Sequence, residues 1–187
     1  SGRRWSSGLE ATGFDQFLAI WQLAGLGRYA PAKGYVGVSA WQDGKMQLPV
    51  MPPVAPMLAK AVAAVPDQPD DEPIWSFEPK WDGFRALLFR DGDTVAIGSR
   101  GGKDLARYFP EIVAAAKAEL PDKVVLDGEL GVPALIGDTY RLDWDSLSQR
   151  IHPAESRISM LAEKTPAVFI GFDALALGEV SVLDEPF

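Results

Sequence analysis

The sequence contains no cysteine and a single histidine, His152. The first absence excludes disulfides, cysteine-ligated zinc and a thiol nucleophile together, and it fits a reducing compartment. The second leaves one histidine for a Ser-His-Asp triad, and no such case can be built around it. His152 precedes Pro153 in an expected loop and reads as surface polar. No uninterrupted apolar run is long enough to span a bilayer, so no membrane partner is expected. Arg3-Arg4, the stretch from Phe17 to Leu26 and Ala30-Pro31-Ala32 imitate an export signal. Glu10, Asp15 and Gln22 break that pattern. Internal repeats and low-complexity tracts are also absent.

Cations are in short supply. The net charge is −8. Residues 1–45 carry five Lys/Arg against three Asp/Glu, and residues 46–187 carry thirteen against twenty-three. An acidic body is not what a stand-alone nucleic-acid binder carries, because neutralising phosphates takes clustered Lys and Arg.

What is present is globular: 187 residues, 47% hydrophobic and 24% charged, enough for one domain or a domain plus an extension. Residues 1–45, rich in Gly, Ala, Trp and Tyr, read as an N-terminal extension of unknown role. Apolar spacing predicts a helix from Phe14 to Leu26 and a short strand from Tyr35 to Trp41. Residues 46–187 read as the main domain. Pro49, Pro52, Pro53 and Pro56 mark an extended entry, followed by a short helix over Met57–Val65 and an acidic loop over Pro66–Pro73.

Strands are expected at Trp75–Lys80 and Phe84–Arg90. Asp91-Gly92-Asp93 then turns the chain into a strand at Thr94–Ser99. Pro110 suits the first turn of a helix over Glu111–Leu120. Val124–Val132 is a strongly apolar strand, with Tyr140–Leu142 as its expected short partner. Asp143 is placed to cap a helix running to Ile151, and Ala154–Lys164 forms another. Val168–Leu177 is the last strand. Connections too short for parallel crossovers make this an α+β chain with mostly antiparallel strands.

Four segments hold chemistry. In Glu78-Pro79-Lys80-Trp81-Asp82-Gly83-Phe84-Arg85, a lysine lies between two expected strands. Lysine attacks only when desolvation or nearby cations favour its neutral form, and a metal carried by a nucleotide would be such a cation. Trp81 is placed to help desolvate it, or simply to pack. Gly83 permits a turn or a close approach. Arg85 offers planar donors to phosphate or ribose. Glu78 shares the strand face of Lys80 and suits a base amino group. The same residues also fit a surface hairpin with an ordinary Asp-Gly turn.

In Val124-Val125-Leu126-Asp127-Gly128-Glu129-Leu130, two acids interrupt an apolar strand. Buried acids need partners, so either a cation, a hydroxyl or a metal meets at least one of them, or a bulge at Gly128 sends both to a solvent edge. In Phe169-Ile170-Gly171-Phe172-Asp173, Phe172 offers a flat face for a base, or plain core packing. Ser99-Arg100-Gly101-Gly102-Lys103 is a Gly-containing turn with two cations. It suits phosphate, or a solvated charged turn.

In this order the segments resemble the covalent nucleotidyltransferases. Lys80-Trp81-Asp82-Gly83-Phe84-Arg85 matches the K-x-D-G-x-R element. Ser99-Arg100-Gly101 resembles S-R-x-G, Asp127-Gly128-Glu129 the D-G-E strand, and Phe172-Asp173 the later F-D element. Pro56-Met57-Leu58-Ala59 is similar to the opening of bacterial ATP-dependent DNA ligases, as is the Trp form of the first motif. The resemblance covers about residues 48–187. It implies an ATP-grasp-like DNA ligase adenylation domain of mainly antiparallel sheets with flanking helices, C-terminally incomplete.

The resemblance also implies roles. Lys80 takes AMP from ATP as a phosphoramidate. Glu78 reads adenine, and Phe172 stacks on it. Arg85 and Glu129 contact ribose, and Glu129 also helps hold Mg²⁺ or Mn²⁺. Arg100 supports the ribose or phosphate side and the nick. The implied partners are ATP, nicked double-stranded DNA and repair proteins, in a bacterial cytoplasm at the nucleoid. The family's domain continues with E-G and K-x-K elements and an oligonucleotide-binding barrel. The sequence ends at Phe187, before these. That accommodates the acidic charge and makes weak self-adenylation the expectation for this stretch. An RNA ligase, a capping-type guanylyltransferase and an inactive truncated nucleotide-binding module are the alternative readings.

Overall fold

The computed structural model describes residues 18–20, 30–31, 44, 46–52, 54–56 and 79–185. The segments expected as a helix at Met57–Val65, an acidic loop at Pro66–Pro73 and a strand at Tyr35–Trp41 lie outside the described residues, as does Glu78.

Ten strands are described. They are β1 (Leu18–Ile20), β2 (Ala30–Pro31), β3 (Val54–Ala55), β4 (Phe84–Asp91), β5 (Thr94–Ser99), β6 (Lys123–Gly131), β7 (Pro133–Ile136), β8 (Thr139–Leu142), β9 (Val168–Leu177) and β10 (Val180–Ser181). The helices are α1 (Pro110–Glu119), α2 (Trp144–Ser148) and α3 (Glu155–Lys164), with a 3-10 turn at Ala106–Tyr108 before α1. The main sheet runs β1-β9-β6-β4-β5, with β10 also on β9. All its pairs are antiparallel except β1 with β9. The chain is therefore α+β, with the mainly antiparallel sheet that the short connections predict.

Three expectations need correction. Residues 18–20 form a strand beside β9 where apolar spacing predicts a helix, because pairing with an existing strand overrides a local preference. Pro79 and Lys80 lie outside any strand. Thr139–Leu142 pairs with Pro133–Ile136 rather than with the long central strand. The pair Gly137-Asp138 turns that hairpin, with Gly137 at φ 63°.

The apolar runs follow from burial on both faces. Alternate side chains of β4 point to opposite sides. Ala86 and Leu88 join Ile97, Ile112, Ala116, Leu126, Leu130 and Phe169 in a core under α1. Leu87 and Phe89 join Val125 and Leu175 on the other face, which the entry segment covers with Met46, Leu48, Val50 and Val54. Gln47 fastens that segment: its N–H donates to Asp91 Oδ2 at 2.6 Å, and its carbonyl accepts from Lys123 Nζ at 3.1 Å.

Burial of both faces places ionic groups inside as well. Arg150 is fully buried and grips Glu111 of α1 with two bonds, of 2.5 and 3.0 Å. The same guanidinium donates to the carbonyls of Tyr108 and Thr165, at 2.8 and 2.9 Å. Glu111 also accepts from Ala167 N, at 2.9 Å. One ion pair thus ties the start of α1 to the α2–α3 connection and to the entry of β9. Among the described residues, no helix is long and apolar enough to cross a membrane.

Candidate active site

The strand register brings the expected residues to one end of the sheet. Arg85 at the start of β4 lies opposite Glu129 near the end of β6, and Glu129 lies opposite Ile170 near the start of β9. Ser99, the last residue of β5, pairs with Ala86. Lys80, Arg85, Arg100, Glu129 and Phe172 therefore belong to this end. The β4–β5 turn lies at the other.

Arg85 is the best-held member. Its Nε donates to Asp127 Oδ1 at 2.6 Å, and its Nη2 to Asp127 Oδ2 at 2.8 Å. Asp127 is fully buried and Arg85 only partly, so the pair opens toward solvent on the arginine side. A buried carboxylate held by two parallel bonds fixes the guanidinium plane. That plane lies over Phe172, 4.4 Å from the ring centroid. Phe172 reaches it through an irregularity in β9. Gly128 pairs with Gly171 but Asp127 pairs with Asp173, so Phe172 is an extra residue.

The two acids of β6 therefore do not lie at a solvent edge. Asp127 and Glu129 are both buried, in a strand with neighbours on both sides. The bulge exists, but on the neighbouring strand. Asp127 had no assigned role in the sequence. A buried acid in an apolar strand demands a cation, and the side-chain bonds identify it as Arg85, which lies diagonally across on β4.

Glu129 accepts from the backbone N–H of Gly83 at 2.9 Å. Burial pushes its carboxyl above the ordinary glutamate value, while the Gly83 bond and the Arg85 charge oppose the rise. Gly83 is confined in return. A Cβ there would run into the carbonyl oxygen of Leu130 and the side chain of Glu129. The Asp-Gly dipeptide thus serves a close approach between loop and strand.

Lys80 stands free of this packing. Its side chain is 88% exposed and its Nζ lies 3.3 Å from Asp82 Oδ1. Trp81 does not desolvate it in this arrangement. Arg100 is exposed, and its backbone N–H donates to the carbonyl of Arg85 at 3.2 Å. His152 Nδ1 accepts from Ala154 N, the local turn role expected of a surface histidine.

Metal would have one carboxylate here. Among the described residues no three His, Asp or Glu converge. Asp127 is engaged by Arg85, which leaves Glu129. A single carboxylate beside nucleotide phosphates suits Mg²⁺, which keeps most of its shell as water and phosphate oxygen.

The sequence model of the family described as "ATP dependent DNA ligase domain" matches residues 56–187. DNA ligase C1 of Mycolicibacterium smegmatis is 66% identical over 142 residues, which are 76% of this chain and 40% of that protein. DNA ligase C of Mycobacterium tuberculosis is 57% identical over 142 residues, or 76% of this chain and 37% of that protein. The chain thus spans about two fifths of the length of these curated relatives. Among solved structures, the ligase domain of Mycobacterium tuberculosis LigD matches 55% of this chain and 29% of its own, at 29% identity and a TM-score of 0.42.

Proposed function

The chain belongs to the ATP-dependent DNA ligase family, and from that premise we propose that it carries the lysine adenylation centre of a bacterial DNA ligase. Neutral Lys80 Nζ attacks the α-phosphorus of ATP. The bond to the bridging oxygen breaks, pyrophosphate leaves, and AMP stays on nitrogen as a phosphoramidate. A 5′-phosphate oxygen at a DNA nick then attacks the same phosphorus and releases the lysine. Finally the 3′-hydroxyl attacks the 5′-phosphate and expels AMP.

The remaining residues bind and orient. Phe172 provides a flat face for adenine, and Arg85 is locked beside it by Asp127. Glu78 reads the adenine edge. Glu129 meets ribose and, with bound Mg²⁺ or Mn²⁺, the phosphate side. The divalent ion supplies charge neutralisation on the phosphates. Arg100 faces the phosphate or ribose side and the nick. Work on nicked DNA places the enzyme in the cytoplasm at the nucleoid, among repair proteins.

The observation that carries this reading is the gathering of Lys80, Arg85, Glu129 and Phe172 at one end of one sheet, with Arg85 stacked on Phe172. The test is incubation of the natural full-length chain with α-labelled ATP and Mg²⁺, then denaturing electrophoresis. Acid-labile label on the protein is expected, and Lys80→Ala should abolish it. Label that survives Lys80→Ala removes the lysine from its role. An adduct formed from GTP alone sinks the ligase reading in favour of a capping-type enzyme.

A further inference from the structure

Trp144 places a large indole where neither core receives it. It is 49% exposed and belongs to neither apolar cluster of the sheet. Among the described residues its ring meets that of Phe84. The centroids lie 5.4 Å apart and the planes stand at 85° to each other. Aromatic pairs favour this near-perpendicular arrangement. Phe84 is the first residue of β4 and follows Gly83 directly.

The indole is aimed by the element that carries it. Trp144 opens α2. Asp143, just before it, donates its N–H to the carbonyl of Val132 at 2.8 Å, and its Oδ2 accepts from Ser146 N at 3.1 Å. Leu147, on the next turn, is fully buried. Leu142 lies where a Cβ on Gly131 would run into it. The route from β6 to α2 is therefore fastened to the sheet on both sides of Trp144.

The segment that Phe84 anchors is the one that carries Lys80. Residues 79–82 belong to no strand, and among the described residues their one hydrogen bond is the exposed Lys80–Asp82 pair. The first fixed points after the lysine are Gly83 and Phe84. Glu129 accepts from the N–H of Gly83. Phe84 pairs with Leu130 through its backbone and with Trp144 through its ring. A nucleophile on an otherwise untethered segment takes its aim from the nearest anchor. A misplacement of about 1 Å costs on the order of a hundredfold in rate.

We propose that Trp144 is a positioning residue for the nucleophile: through Phe84 it fixes the base of the Lys80 segment. It touches neither the nucleotide nor the nick. This inference rests on the ligase reading and adds a residue outside its motifs.

The test separates the first chemical step from the last in the natural full-length chain. Sealing a nick that already carries AMP on its 5′-phosphate makes and breaks no bond at Lys80. Trp144→Ala is expected to slow adduct formation about tenfold or more at saturating ATP and Mg²⁺, with KM for ATP within about twofold and sealing of the AMP-capped nick unchanged. Trp144→Phe should restore the rate, because it keeps an aromatic ring against Phe84. If Trp144→Ala lacks the native far-ultraviolet spectrum, Trp144→Leu takes its place under the same criteria, since it keeps apolar volume over Phe84 without a ring. An unchanged rate of adduct formation overturns the proposal. So does a rise in KM alone, which would assign the indole to the nucleotide. Equal losses in both reactions by a folded variant overturn it too, because the indole would then serve the fold in general. Failure of the unsubstituted protein both to form an ATP adduct and to seal the AMP-capped nick refutes the ligase reading itself.

Discussion

At the scale of single residues, the site places a carboxylate where water would serve it better. Burial raises the carboxyl of Glu129 in the folded chain. The folded protein therefore holds that proton more tightly than the unfolded chain does. The stability this group contributes is fully present below the ordinary glutamate value and is lost as pH rises through the raised one. Glu129→Gln removes the loss and can still accept from Gly83. The variant is expected to be at least as stable as the natural protein at pH 7, with a flatter dependence between acid and neutral pH, and to label poorly with ATP. Thermal unfolding across that pH range checks it; parallel curves for the two proteins refute it. The same scale shows what was readable beforehand. Lys80, Arg85, Glu129 and Phe172 stand out in the sequence because the ordered segments around them resemble those of the covalent nucleotidyltransferases. The Arg85–Asp127 bond does not, because it joins residues 42 positions apart and depends on strand register.

At the scale of elements, the Arg150–Glu111 pair decides how α1, the α2–α3 connection and β9 sit together. Removing one partner from a buried pair leaves an uncompensated charge, at a cost of about 3–5 kcal/mol. Arg150→Met is expected to lose stability in that range in urea unfolding. Adding Glu111→Gln should recover part of it, since the stranded charge is gone. Equal destabilisation by the single and double variants would contradict the pair's role. Nothing local in the sequence marks Glu111 as buried. Strands β4, β5 and β9 were legible because apolar residues lie between clear turn signals. The β7–β8 hairpin was misassigned despite its Gly137-Asp138 turn. The apolar run continues to Val132, and Pro133 starts the next strand almost at once.

At the scale of the whole molecule, the sheet is a two-sided core, and among the described residues a short entry segment covers much of its second side. Met46, Leu48, Val50 and Val54 cover Leu87 and Phe89. Leu48 is 7% exposed, so Leu48→Ala should cost about 2–5 kcal/mol and lower the thermal midpoint. A loss under 1 kcal/mol would mean the segment is dispensable. Composition shows an acidic globular chain, and the short connections give its α+β class. Neither could foresee which side chains meet at one end of the sheet, because that comes from which strand ends adjoin.

The extra residue in β9 has a practical consequence for anyone who would transplant this site. Side chains on a strand alternate with a period of two. Copied residue for residue onto a regular strand, Asp173 would fall beside Leu126 instead of Asp127, and the positions up to a second irregularity between Ala174 and Ala176 would change sides. The transferable unit is therefore the strand pair with its irregularity, not a set of side chains. A graft that smooths the backbone would keep the motif's letters and lose its geometry.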